Sequence, residues 1–248
     1  MGPAIGGAIM LAAGPSAGIF VNVLFYLPLL IWLSKAPYIR ARTPGAVRGF
    51  IEIWSTMRAI AGNRTIVSMT LLAGGASLFV GNAYQAQMPE FADHLGHGHA
   101  GVGYSMLLAA DAAGALLAGF VLESRALLQP RPRTAFILAM LWCCAIGGFA
   151  IAESYPLAFA LLFVAGFLQL AFAAMGQALV QISAPAEIRG RVIGLYSMSS
   201  LGLRAFSGVT VGILGSVIGI HWSLALSAMA LLAITAGLLA FTLGVRRR

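Results

Sequence analysis

Apolar residues run along this chain in eight blocks: 1–13, 17–34, 65–88, 101–122, 134–152, 156–183, 192–218 and 222–244. Short connectors containing Gly, Pro and charged residues separate them. At 1.5 Å per residue, most of the later blocks cover the roughly 30 Å of hydrocarbon in a bilayer, whereas the first reaches only about 20 Å. The pattern predicts an all-α polytopic membrane protein with about seven full transmembrane helices and one short helix at its start. One connector is different. In 46–62, "AVRGFIEIWSTMRAIAG", Val47, Phe50, Ile51, Trp54, Met57 and Ile60 recur at helical spacing opposite Arg48, Glu52 and Arg58. That is an amphipathic helix expected to lie in the membrane interface with Trp54 as anchor. It divides the chain into a two-helix piece (1–34), a central loop (35–64) and a six-helix piece (65–248).

Composition agrees with this pattern. Hydrophobic residues make up 60% of the chain and charged residues 9%, and mean hydropathy is +0.93. A soluble domain carries roughly 25% charged residues. The net charge of +8 would suggest a nucleic-acid partner if the cations formed a face. Instead all Lys and Arg but Arg204 lie in 35–64, 125–133, 189–191 and 246–248, alternating with connectors that hold Glu90, Asp93, His94, His97, His99 and Glu153. This alternation places the basic connectors and the C-terminus in the cytoplasm. With no base-reading or stacking residues beside the cations, nucleic acid is not an expected partner. Cys143 and Cys144 are adjacent within an apolar block, where side chains point apart, so neither a disulfide nor a metal site is expected. No basic residue precedes Lys35, which argues against a signal peptide.

Polar side chains inside the blocks carry the functional signal, because hydrocarbon cannot satisfy them. Tyr196, Ser200 and Arg204 recur at intervals of four in one block, and Gln169, Gln177 and Gln181 share a face of another. Asn82 and Gln85 lie three apart near the end of a third, and Asp111 stands within a fourth. Asp111 and Arg204 both fall near the bilayer midplane, where an unpaired charge costs roughly 2.5–3.5 kcal/mol on insertion scales. They read as a proton carrier and the cation that tunes it, sharing a water-filled cavity. A structural ion pair between two helices is the alternative. Glycine-rich stretches such as Gly114 to Gly119 and Gly208-Gly212-Gly215 read as close-packing seams.

The stretch "FADHLGHGHAG" offers Asp93, His94, His97 and His99. One glycine-flanked loop seldom fixes four ligands, so it reads as solvated and no metal site is expected. Ser105 near His99 has no base at depth to activate it, and no phosphate-cradling loop or paired carboxylates occur. The chain is therefore read as not an enzyme, and no cofactor is expected.

The stretches "GPAIGG" (2–7), "GIFVNVLFYLPLLI" (18–31), "YQAQMPEFADHLGHGHAGVGYSMLLAADAAGALLAG" (84–119) and "APAEIRGRVIGLYSMSSLGLRAFSGVTVGILGSVIG" (184–219) together resemble the major facilitator superfamily, in particular exporters of the enterobactin-exporter and multidrug-efflux type. Gly2, Pro3, Gly6 and Gly7 are similar to the second half of that family's antiporter signature on its fifth helix. The resemblance then makes 17–34 the sixth helix, 35–64 the central loop and 65–244 the seventh to twelfth, a partial major facilitator fold. It implies proton-coupled efflux of amphipathic small molecules by alternating access in a bacterial inner membrane. It also places Asn82, Gln85, Asp111, Gln169, Gln177 and Arg204 on cavity-lining helices, with Glu187, Arg189 and Arg191 at a cytoplasmic gate. Protons, a small-molecule substrate, membrane lipid and the helices that precede the fifth are the implied partners. A chain that begins within the fifth helix also invites a second expectation, a truncated or split transporter that does not transport alone.

Overall fold

Asn63 opens the first long helix of the six-helix piece in the usual way. Its Oδ1 accepts the Ile66 amide at 3.3 Å, while its Nδ2 donates to the Ser183 carbonyl at 3.2 Å. One side chain thus caps one helix and ties it to the end of another. The computed structural model describes residue 20 and residues 23–35, 49–96, 102–125 and 130–243. Gly2, Pro3, Gly6, Gly7, His97 and His99 lie outside the described residues.

The chain divides into two compact units, Met1–Gly49 and Phe50–Arg248. In the first, the described helix α1 (Val23–Lys35) is apolar and exposed along its length. It occupies the later part of the block expected over 17–34; of the start of that block only Phe20 is described, and it is helical. Helix α2 (Gly49–Ile60) occupies the predicted amphipathic stretch; Thr56 and Ile60 are buried, and Trp54 is exposed.

The second unit continues with α3 (Arg64–Phe79), α4 (Ala83–Ala86), α5 (Met88–His94), α6 (Val102–Arg125), α7 (Pro132–Ala150), α8 (Tyr155–Ser183), α9 (Arg189–Ser197), α10 (Arg204–Ile218) and α11 (Ile220–Leu243). Pro132 and Pro156 sit in the first turns of α7 and α8, where a missing amide hydrogen costs no helical bond. Six stretches among the described residues are long and apolar enough to cross a membrane: Arg64–Ala86, Val102–Leu122, Pro132–Ala150, Tyr155–Ser183, Arg189–Ile218 and Ile220–Thr242. Each falls within a few residues of a block read from the sequence. No strand occurs among the described residues.

Helix α8 is central, packing on α3, α6, α7 and α9, while α11 packs on α3, α7 and α10. Trp142, Tyr84, Phe91, Phe136 and Phe149 fill the interior. Large apolar side chains elsewhere point outward; Phe120 is 73% and Val217 79% exposed, as a lipid-facing surface requires. Helices α6 and α8 touch backbone to backbone. A Cβ at Gly166 would run into the Asp111 carbonyl, and one at Gly114 into the Phe163 carbonyl. The other expected seam differs: a Cβ at Gly208 or Gly212 meets nothing within 4 Å among the described residues, and only Gly215 has close neighbours. Gly208 and Gly212 face outward, and among the described residues no second helix packs against them.

The crossing predicts opposite outcomes for two glycine changes. Gly166→Val should destabilise the bundle by about 1–3 kcal/mol or more, the ordinary cost of overpacking. Gly208→Ala should be neutral or slightly stabilising. Thermal unfolding of the purified protein in detergent micelles compares them, and equal losses would show that α6 and α8 do not meet at Gly166.

Candidate functional site

The span Arg64–Ala86 is broken between α3 and α4. Gly81 there adopts φ +47°, a left-handed conformation that side-chain-bearing residues resist. A Cβ at Gly81 would also collide with the Ser207 hydroxyl and the Ser77 carbonyl. The Val80 and Gly81 amides both return to the Ala76 carbonyl, at 3.2 and 2.9 Å, so the break leaves neither donor empty. Beyond it, α4 presents Tyr84 and Gln85 to α6. The Tyr84 hydroxyl donates to Asp111 Oδ2 at 3.2 Å and lies 3.4 Å from Oδ1. Gln85 Nε2 donates to the same Oδ2 at 3.2 Å and to the Tyr84 oxygen at 3.4 Å. Asp111 is 7% exposed and Tyr84 fully buried. A buried carboxyl is tolerated when its oxygens accept such donors.

A second break lies in the span Arg189–Ile218, where a single π turn, Met198–Gly202, separates α9 from α10. Such turns leave carbonyls without their helical partners. Here α3 supplies replacements: Ser77 donates its hydroxyl to the Ser200 carbonyl, and in return the Ser199 hydroxyl donates to the Thr70 carbonyl at 3.0 Å. Gly74 makes room, since a Cβ there would strike the Ser199 hydroxyl. The two broken helices are thereby interlocked.

They enclose a cavity of about 50 Å³. Ser77 and Gly81 line it from the α3 side, Trp142 from α7, Gln169 and Phe172 from α8, and Tyr196, Ser200 and Arg204 from the second broken span. The lining contains a guanidinium and no carboxylate among the described residues. Trp142 Nε1 is buried without a hydrogen-bond partner, a donor still to be satisfied.

The structure thus brings Gln169, Tyr196, Ser200 and Arg204 together, and separately brings Gln85 to Asp111. It does not join Asp111 to Arg204: the carboxyl is held by Tyr84 and Gln85, and Asp111 is not in the cavity wall. The expected interval of four from Tyr196 to Arg204 is interrupted by the π turn, yet all three residues still reach the cavity. Gln177 is exposed and outside the lining, and Asn82 is exposed at the break in α3. Glu187, Arg189 and Arg191 are exposed around the start of α9. Sequence reasoning passed over Tyr84, Ser77 and Trp142. Tyr84 had a signal, a hydroxyl-bearing aromatic beside Gln85 at depth; Trp142, in an otherwise apolar block, had none.

Comparison with known families decides the identity of this arrangement. Residues 1–208 match the family model of the Major Facilitator Superfamily. The chain belongs to the major facilitator superfamily. Neither the curated proteins nor the solved structures contain a match to it. Major facilitator proteins are secondary transporters, and transporter folds place their sites at interrupted helices near the bilayer midplane. Both breaks of this major facilitator chain lie against the cavity, which makes the cavity and the Asp111 network together its candidate site.

Within that site the Tyr84–Asp111 bond is measurable. A double-mutant cycle between Tyr84→Phe and Asp111→Leu should give a coupling of about 1.5–3 kcal/mol, the range for a hydrogen bond to a charged acceptor. Thermal unfolding in micelles checks it; strictly additive losses would mean that the hydroxyl is not held by the carboxyl.

Proposed function

We propose that this protein exports amphipathic small molecules across a bacterial inner membrane in exchange for protons, by alternating access. The observation that carries the reading is Asp111, the one buried carboxyl among the described residues, set between membrane-spanning helices beside a cavity whose described lining holds a cation and no acid. The two groups have separable tasks. As a carboxylate, Asp111 accepts from Tyr84 and Gln85. Once protonated it gains an O–H donor and loses the charge that strengthened those two bonds. A proton on Asp111 therefore loosens its hold on Tyr84 and Gln85, just beyond the helix break at Gly81 that borders the cavity. In the cavity, Arg204 favours a substrate with hydrogen-bond acceptors or negative charge, and Trp142, Phe172 and Tyr196 supply apolar surface. The resemblance to exporters of the enterobactin-exporter type supports the outward direction. On this reading the basic connectors and C-terminus are cytoplasmic, and Glu187, Arg189 and Arg191 form the cytoplasmic gate, pairing with carboxylates of the other half when the transporter opens outward.

Proteoliposomes containing the whole protein test this with a fluorescent aromatic carboxylate and its neutral methyl ester. A pH gradient should drive transport, and Asp111→Asn should reduce gradient-driven flux to the level of empty liposomes while the protein remains folded. Arg204→Gln should raise KM for the carboxylate at least tenfold and change the ester little. Undiminished proton-coupled flux in Asp111→Asn would sink the reading.

A further inference from the structure

Three of the chain's four histidines lie within residues 94–99, and the fourth is His221. Folding brings the first and last together. His94 ends α5 and His221 begins α11; His94 Nδ1 stands 2.9 Å from His221 Nε2. Their ring planes lie within 12° and their centroids are 5.1 Å apart. The rings therefore meet edge to edge through one shared hydrogen. The other nitrogen of His221, Nδ1, is 2.6 Å from the Ala150 carbonyl. A carbonyl only accepts, so Nδ1 carries the hydrogen, and in the neutral ring Nε2 presents its bare lone pair toward His94. Phe91, itself buried, packs edge-on against His221 with centroids 4.8 Å apart and holds the ring in this orientation. His94 is exposed and free to turn.

A ring N–H anchored on a backbone carbonyl is how proteins orient a metal-ligating histidine, and here the opposite nitrogen of that ring faces a second imidazole. Two nitrogens on one tetrahedral ion at 2.0–2.1 Å stand about 3.3 Å apart. The observed pair needs to open by a few tenths of an ångström, with the exposed His94 ring tilting so that its lone pair and that of His221 converge on one ion instead of facing each other. The hydrogen on His94 Nδ1 moves to Nε2 through solvent, and the ion takes its place between the rings. Both histidines and Glu153 line a cavity of about 420 Å³, with room for water to complete the coordination. Among the described residues no group of three His, Cys, Asp or Glu could hold a metal ion, so the protein contributes chiefly two imidazoles. Loop spacing alone had suggested a solvated stretch; His221, far away in sequence, changes that.

We propose that His94 and His221 form a binding site for a divalent transition-metal ion of the class imidazole favours, such as Zn²⁺. The site is separate from the Asp111 network and does not depend on the transport reading. The test is calorimetric titration of Zn²⁺ into the purified whole protein, with no histidine tag, in detergent micelles. One equivalent should bind saturably and be removed by EDTA. His94→Asn, a change at an exposed residue, and His221→Asn should each weaken binding at least tenfold. Asp111→Asn should leave binding unchanged, and so should the double variant His97→Gln with His99→Gln. Wild-type affinity in a protein lacking both His94 and His221 would overturn the proposal. So would loss of binding on changing only His97 and His99, and so would the absence of saturable binding.

Discussion

Hydrocarbon offers no hydrogen bonds to a broken backbone, yet this bundle breaks two of its membrane helices side by side. That constraint explains the serine chemistry between them. The π turn at Met198–Gly202 is compensated by Ser77, whose hydroxyl answers the Ser200 carbonyl, and Ser199 reaches back to Thr70. The break at Gly81 closes its own amides on Ala76. Each irregularity is tolerable because the other helix stands against it, and both border protein and a cavity rather than lipid. Gly74 and Gly81 permit the approach, since a Cβ at either would strike a serine of the opposite span. Loss of the close approach would leave polar backbone facing an apolar medium.

The same constraint separates the two charges. An ion pair between Asp111 and Arg204 is one solution to burying both. The protein uses a different one: the Asp111 oxygens are satisfied locally by two neutral side-chain donors from α4, and Arg204 is left in the cavity wall. Buried ion pairs seldom return their desolvation cost, whereas hydrogen bonds from neutral donors leave the carboxyl able to gain and lose a proton without stranding a partner cation. A guanidinium not committed to Asp111 also keeps its donors for a ligand.

The spans were readable because a membrane helix imposes length and composition on its sequence, and those are local properties. Asp111, Arg204, Gln169, Tyr196 and Ser200 were readable for the same reason, as polar groups in apolar blocks. Their partners were not. Whether Gln169 or Gln177 faces the cavity depends on how α8 rotates against its neighbours, and periodicity treats the two alike. The π turn carries no marker in "YSMSSLGLR"; it exists because α3 can answer its carbonyls. The pairing of Asp111 with Tyr84 depends on a helix break that brings Tyr84 round, and His221 reads only as the edge of an apolar block until α5 arrives beside it.

On the proposed mechanism, coupling between proton and substrate needs no direct contact between Asp111 and the ligand. Asp111 packs its carbonyl on Gly166 of α8, and Gln169, one turn further along α8, lines the cavity. Through Tyr84 and Gln85, Asp111 is also tied to the segment that follows Gly81, and Gly81 itself lines the same cavity from the other side. A change of protonation therefore acts on two walls at once. A packed core cannot absorb such a change gradually and instead favours one of two arrangements. The free energy available for coupling is limited by how differently Asp111 holds its proton in the two. The weakening of the Tyr84 and Gln85 bonds when Asp111 gains a proton is the local event that makes them differ.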